Sequence, residues 1–350
     1  MDNILPENIE ENDVFRFNDI VAQQILPHET KEIKDVFFNS DNIIFKAGKI
    51  LPPSFVNGTL EYFFKFPHNY VAVIRNYLGL KKFLSDPFLI TSRFFKKKLI
   101  INEDCLCFTD TWSIGYFHWL LDALPRLLTA EELINKTTVI LPIAYQKKDY
   151  IISSLKIFNV KNIRWVENDE VLSIKKLIIP PHIAPSGTYD PRLTTELIKK
   201  IKNYYRNNGK KVLGDKIYLS RAKAGKRHIK NEEEILPIMT RYGFKTIYLE
   251  DYLWEDQVSI CQNARYLISN HGAGLTNLIF MDTGGKILEL GGEQNQFYHY
   301  FSLAKAAGIK YFYQVCTYSS SLFKRTNNKK NIIVDLEKLE KNIKLMLDAK

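Results

Sequence analysis

The spacing of apolar and polar residues changes about a third of the way along this 350-residue chain. Up to about residue 108 the apolar residues come in short runs between turn signals: DVFFNSDNIIFKAG (35–48), EYFFKFPHNYVAVIRNYLG (61–79) and FLITSRFFKKKLIINEDCLCF (88–108). Such runs predict a β-rich start. From about Trp112 a helical period takes over, with Phe117, Leu121, Leu124 and Leu128 at i, i+4, i+7 and i+11, an amphipathic stripe. Pro125 inside that stripe predicts a kink or a fresh helix start. Strands and helices then alternate through TTVILP, KDYIISSLKIFN, RWVEN and KKLIIPP.

Four prolines and a glycine in IPPHIAPSGTYDP (179–191) mark a domain boundary. Beyond it, RLTTELIKKIKNYYRN predicts a helix leading into a second α/β series. Its expected strands cover 216–220, 245–250, 265–269, 286–290 and 310–315, with helices from about Glu232, over 254–264, from about Gly274 and over 297–307. The tail VDLEKLEKNIKLML reads as a closing helix. The expected organisation is therefore an N-terminal domain over 1–190, a C-terminal α/β domain over 191–330 and a closing helix over 331–350. Alternating strands and helices imply parallel pairing in a doubly wound sheet. Ligands of such sheets bind beyond the carboxyl ends of the strands, which directs attention to the loops after Ser220, Glu250, Ser269 and Leu290.

Composition adds a bias toward anions. Lys and Arg number 49 against 39 Asp and Glu, a formal net charge of +10. That balance suits a nucleotide, an acidic glycan, a membrane surface or nucleic acid, and it also serves solubility alone. The aromatic residues fall in apolar runs and not between lysines, so nucleic acid is not expected as a partner. Cys105, Cys107, Cys261 and Cys316 show no zinc spacing, and reduced thiols in a cytosolic setting are the simplest account. The acidic start MDNILPENIEEND lacks the basic and apolar regions of a signal peptide. No stretch reaches the roughly 18 uncharged apolar residues of a membrane span. A soluble protein, at most peripherally attached to a membrane, is expected.

Four stretches could carry chemistry. In ISNHGAGLTNLIF (268–280), Gly272, Ala273 and Gly274 separate a strand from a helix, where free N–H groups favour anions. His271, Thr276 and Asn277 would add donors, while the glycines would equally serve a tight turn. In YLSRAKAGKRHIKNEEEI (218–235), Ser220 precedes Arg221 and Arg227, whose guanidinium forks match phosphate oxygens. Asn231 and Glu234 have capping-box spacing and are assigned to helix initiation. Glu289, at the end of KILEL, could accept ribose hydroxyls or form an ordinary salt bridge. In GYFHWLLDALPRLL (115–128), His118, Asp122 and Arg126 recur every four residues on one helix face, so that Asp122 could orient His118 as a general base. The chain has no D-x-D triplet, no Walker P-loop and no G-x-S-x-G elbow, so a carboxylate-held metal, a P-loop NTPase and a serine hydrolase lose support.

Taken in order, HWLLDALPRL (118–127), SR (220–221) with Arg227, NEEEI (231–235), YLEDYLWEDQVSICQNARYLISNHGAGLTNLIFM (248–281) and ILEL (287–290) resemble the family-61 glycosyltransferases. The resemblance implies a GT-B-like α/β fold, two Rossmann-like domains facing across a cleft, here with a β-rich N-terminal extension. It implies an inverting transfer from a nucleotide sugar, UDP-linked in the family, to a glycan hydroxyl, with no metal and no cofactor. His118 and Asp122 would be catalytic as a coupled pair, either of them taking the acceptor proton. Ser220, Arg221, Arg227, His271, Gly272, Ala273, Gly274, Thr276, Asn277 and Glu289 would bind the donor nucleotide and its diphosphate. A bacterial cytoplasmic enzyme building a surface polysaccharide is the expected setting, with peripheral association at the inner membrane left open. The alternatives are a nucleotide-sugar epimerase or hydrolase of the same architecture, and a non-catalytic protein that binds polyanions or glycans.

Overall fold

The computed structural model describes residues 5–17, 29–47, 49–54, 97–206, 211–293, 297–319 and 331–349. The apolar run at 61–79 and the first residues of the run at 88–108 lie outside them. The chain folds into two units, Ile25–Ser186 and Gly187–Lys350, the latter joined by Met1–Gln24.

The first unit is built on an eight-stranded mixed sheet. β1 (Lys31–Asn39) and β2 (Ile44–Lys46) form a hairpin that continues antiparallel into β3 (Lys49–Ile50). β1 also pairs antiparallel with β8 (Glu170–Ile179), the longest strand of the sheet. The other side of β8 is covered in two steps, by β4 (Lys97–Ile101) and then β5 (Cys105–Leu106), both parallel to it. β6 (Thr138–Pro142) and β7 (Ile163–Val166) complete the sheet in parallel. Val36, Phe38, Ile44, Ile140, Leu172 and Leu177 share one core with the Cys105 and Cys107 side chains. All four cysteines are free and buried. Burial pushes the Cys105 and Cys261 thiols up to about 12, so they stay neutral and pack as small apolar groups.

The stretch around Pro125 departs from a plain amphipathic helix. It opens as α1 (Tyr116–His118), passes through a π-helical turn at Trp119–Ala123 and continues as α2 (Leu124–Thr129). Pro125 falls in the first turn of α2, where its missing N–H and its ring are tolerated. The π turn absorbs the change of register. The predicted stripe is also too narrow: Trp119, Leu120, Leu121 and every residue from Ala123 to Leu128 are buried. Only Asp122 breaks that run, and it is turned toward His118.

The second unit matches the predicted alternation closely. β9 (Lys216–Leu219), β10 (Lys245–Ile247), β11 (Tyr266–Asn270), β12 (Lys286–Gly292) and β13 (Lys310–Tyr318) pair in parallel in the order β10-β9-β11-β12-β13, and short β14 (Ile332–Ile333) closes the edge antiparallel. Helices Pro191–Tyr205, Glu232–Arg241, Trp254–Gln262, Tyr298–Ala307 and Leu336–Asp348 stand where the sequence expects them. The segment after β11 is a 3-10 helix, Ala273–Phe280. The strand order reverses direction between β9 and β11, the topological switch point at which such sheets bind ligands. The loops that leave those two strands carry Arg221 and His271.

Residues 5–17 belong to this second unit by a set of polar contacts. Asn8 donates to the Tyr313 carbonyl (2.8 Å) and to Asn342 (3.0 Å), and its own carbonyl oxygen accepts from the Tyr313 N–H (3.0 Å). The Tyr313 hydroxyl donates to buried Asp13 at 2.9 Å. Phe17 packs edge-on against Phe301 and Tyr313. Asn8, Asp13 and the ring of Phe17 hold the segment, which leaves no hydrophobic period for a sequence to display.

Candidate functional site

Two clusters gather the residues singled out by the sequence, one in each unit. In the first, the π turn brings His118 and Asp122 together, with Nδ1 of the imidazole 2.7 Å from Asp122 Oδ2. Ser186 Oγ donates to the same carboxylate oxygen at 2.8 Å and lies 3.3 Å from His118 Nδ1. Among the described residues His118 Nε2 has no hydrogen-bond partner. Trp112 and Phe117 set their ring edges against the imidazole. Burial disfavours the imidazolium, but Asp122, with Asp110 behind it, outweighs that and raises the His118 pKa above its ordinary value.

Asp110 was not singled out in the sequence. It is buried, accepts from the Trp112 and Ser113 N–H groups and the Ser113 hydroxyl, and burial raises its pKa. Arg126 does not join the face of His118 and Asp122. It is fully buried, and its Nε and Nη2 both donate to the Pro180 carbonyl. It acts on Asp110 and Asp122 as a nearby positive charge, not as a ligand for either.

The second cluster lies at the switch point. Arg221 follows β9, and its guanidinium rests directly on the backbone of Gly272, where a Cβ would come within 2.7 Å of Cζ. Gly272 is extended (φ 162°, ψ 169°), and neither it nor Gly274 lies in the left-handed region that favours glycine. Gly272 makes room for Arg221, and Gly274 makes room for a methyl of Leu249. Close approach of side chains, rather than a tight turn, accounts for both glycines. Arg221 Nη2 donates to the Lys226 carbonyl at 3.2 Å, whereas the Nε atoms of both Arg221 and Arg227 are buried without a partner. Burial lowers both arginine pKa values, and Arg227 lowers that of Arg221 further. Two cations therefore share a partly desolvated site with no carboxylate paired to either among the described residues. Arg227 sits in the left-handed region, φ 61°, and its carbonyl accepts from Asn270 at 2.7 Å, which pins the strained residue to the end of β11.

His271 leaves β11 with its N–H on the Leu290 carbonyl (2.7 Å) and its Nδ1 bonded to Glu289 Oε1. Tyr311 donates to the other carboxylate oxygen at 2.7 Å, and Glu289 is completely buried. Both oxygens are thus engaged within the protein, and the expected ribose contact does not fit this position. Glu289 instead supports His271 from behind. Thr276 and Asn277 are likewise fully buried, and Asn277 donates to the Gly274 carbonyl at 3.1 Å within its own helix. They are not surface donors as the sequence suggests. Ser220 is buried too: its hydroxyl donates to Glu232 at 2.6 Å and accepts from the Ala222 N–H, shaping the loop. Ala273 and Gly274 stay partly exposed at the start of the 3-10 helix.

The capping box at Asn231 and Glu234 does not form. Asn231 occupies the N-cap position, but its side chain forms a two-way bridge to Val334, donating to the carbonyl and accepting from the N–H, both at 2.9 Å. The backbone of one residue offering a matched donor and acceptor satisfies a whole amide, which a helix N–H cannot do. Tyr300 is the residue that sequence reasoning missed here. It donates to the Gly272 carbonyl at 2.7 Å, lies edge-on to His271, and is felt electrostatically by Arg221 and Arg227. Nothing in the sequence near Tyr300 marks it, because its partners lie on other elements.

Among the described residues no group of three or more His, Cys, Asp or Glu side chains could hold a metal ion, and no helix is long and apolar enough to cross a membrane. A mixed α/β fold with two parallel-rich sheets and a cationic site at a switch point is consistent with the α/β glycosyltransferases. Residues 116–288, just under half of the chain, match the family model described as Glycosyltransferase 61. The match takes in every site residue from His118 to Asn277 and stops one residue short of Glu289. Over 81 residues the chain is 35% identical to the protein O-linked-mannose beta-1,4-N-acetylglucosaminyltransferase 2 of Homo sapiens, and equally to those of Mus musculus and Bos taurus. That stretch is 22% of this chain and 14% of the length of each relative.

Proposed function

We propose that this protein is an inverting glycosyltransferase of GT-B architecture, moving a sugar from a UDP-linked donor to a hydroxyl of a glycan acceptor. The observation that carries the reading is the pair Arg221 and Arg227 at the switch point, each with a buried, unpartnered Nε. An anion with several oxygens would satisfy both nitrogens and relieve the repulsion between the two cations, and a diphosphate supplies such oxygens. His271 and the N–H groups at the start of the 3-10 helix add donors of the same sign. The match to the family-61 model and the activity named for the relatives support sugar transfer as the chemistry.

In the proposed step the acceptor oxygen attacks the anomeric carbon, and the bond from that carbon to the diphosphate breaks. The acceptor proton goes to His118 Nε2. The electron pair leaves with the nucleoside diphosphate, whose charge Arg221, Arg227 and His271 stabilise. One such donor aimed at developing charge is worth on the order of 3 kcal/mol. Protein cations carry that charge in this proposal, with no metal ion in the step. The product, a bacterial surface polysaccharide, and a cytoplasmic location with peripheral membrane contact remain parts of the proposal.

A thermal-shift screen of nucleotide sugars tests the reading, since a ligand at 100 times its Kd stabilises the fold by about 2.7 kcal/mol. UDP and UDP-sugars should raise the Tm, with EDTA making no difference. Stabilisation by heparin or another polyanion with none by any nucleotide would contradict it. Incubating the stabilising donor without acceptor separates transfer from its enzymatic rival: conversion into a second sugar nucleotide would identify an epimerase.

A further inference from the structure

We propose that Ser186 is a positioning residue for the base, holding His118 in the tautomer that leaves Nε2 unprotonated; this rests on His118 being the base. The argument starts from three atoms. Ser186 Oγ, Asp122 Oδ2 and His118 Nδ1 form a closed triangle with sides of 2.8, 2.7 and 3.3 Å. The carboxylate can only accept, so the serine proton is committed to Asp122. The serine oxygen then presents a lone pair to Nδ1 at 3.3 Å. A proton on Nδ1 meets two acceptors, the carboxylate and the hydroxyl oxygen. A lone pair on Nδ1 would meet oxygen lone pairs from both. The neutral ring is therefore held as Nδ1–H, with the basic lone pair at Nε2, the nitrogen without a hydrogen-bond partner among the described residues.

Ser186 has a second effect. Its hydrogen bond draws charge away from Asp122 and so weakens the pull of that carboxylate on the imidazolium. The other charges acting on the ring come from two further places. Asp110, from the loop after β5, reinforces the imidazolium, and buried Arg126 on α2 offsets both carboxylates. Removing only the Ser186 hydroxyl leaves those groups in place and strengthens the charge on Asp122. The His118 pKa should then rise, and the acid limb of the rate profile should move to higher pH. A residue that merely filled space would lower the rate without moving that limb.

Ser186 falls in the proline-rich stretch 179–191, where a sequence suggests a linker and no chemistry. It is 68 residues from His118 along the chain, so no local spacing could connect them.

The test uses the full chain labelled with nitrogen-15 and long-range proton–nitrogen NMR of its seven histidines. The His118 signal is identified by its loss in His118→Gln. The expected result is an Nδ1–H neutral tautomer for His118, a higher pKa in Ser186→Ala, and wild-type tautomer and pKa in Ser186→Thr, which keeps the hydroxyl. An Nε2–H tautomer in the wild-type protein would overturn the proposal without need of any variant. So would a Ser186→Ala protein whose His118 pKa and tautomer are both unchanged. With UDP-GlcNAc as the probe donor, Ser186→Ala should lose kcat by about tenfold to a hundredfold at unchanged KM, as expected for a lost hydrogen bond to a charged group. A His118→Gln protein that still turns over at the wild-type rate would remove the base reading, while the tautomer result would stand by itself.

Discussion

The guanidinium of Arg221 packs against the backbone of Gly272, in space that any side chain at 272 would occupy. Two loops from different strands thereby meet at one point of the switch. Gly272→Ala should push Arg221 out of place with little cost to the fold, because the displaced group is the end of a flexible side chain. Isothermal titration with UDP should show affinity weakened by roughly tenfold to a hundredfold, the range for losing a charge-assisted contact. Unchanged affinity would mean that Arg221 does not touch the ligand.

The two arginines should trade stability for function. Burial and, for Arg221, the neighbouring Arg227 work against the charged forms. Arg227→Gln removes that repulsion, so its Tm in the absence of ligand should equal or exceed the wild-type value. Its kcat/KM should nevertheless fall by about a hundredfold or more. Scanning calorimetry beside steady-state kinetics checks both halves. A clear drop in Tm would instead make Arg227 a structural residue.

The pH dependence follows from the raised pKa of His118. A base must be neutral, so kcat should climb with pH and level off above the ordinary imidazole pKa of about 6.5. Because the folded pKa is above the unfolded one, the His118–Asp122 pair stabilises the fold fully below about pH 6.5 and loses that contribution as pH rises through the folded pKa. Asp122→Asn should lower the His118 pKa, cut kcat sharply and leave UDP affinity nearly unchanged. Wild-type turnover by Asp122→Asn would take the pair out of the mechanism.

Much of the second unit was legible because each strand is a short apolar run and each helix carries its own period. Parallel order at β9 to β13 follows from that alternation alone. The His118–Asp122 contact was legible as well, since residues four apart meet on either a helix or a π turn. Contacts between distant segments were not. Asn231 looked like half of a capping box, yet Val334, 103 residues on, offered its amide a better match. Glu289 stood at a strand end as a ribose ligand would, yet Tyr311 on the next strand and His271 took both oxygens. Tyr300 and Ser186 had no pattern to reveal them. The sequence offers the glycines of HGAG as an anion-binding junction or a tight turn; what they provide is space for Arg221 and Leu249.

Glu289→Gln should be the costliest single-atom change in the second cluster. A buried carboxylate that accepts from both His271 and Tyr311 would be replaced by an amide whose NH2 faces one of those donors. An unsatisfied buried donor costs about 1–3 kcal/mol, readable as a lower midpoint in urea. UDP affinity should weaken too, because His271 loses its support. An unchanged midpoint would show that the relay contributes nothing to the fold.

The central claim is that Arg221 and Arg227 hold a nucleoside diphosphate. Calorimetric titration of UDP into the wild-type chain and into an Arg221→Ala, Arg227→Ala double variant addresses it most directly. The wild type should bind one UDP with EDTA present, and the double variant should keep its Tm while losing at least a hundredfold in affinity, about 2.7 kcal/mol. Equal UDP affinity in the two proteins, or no UDP binding by the wild type, would contradict the account.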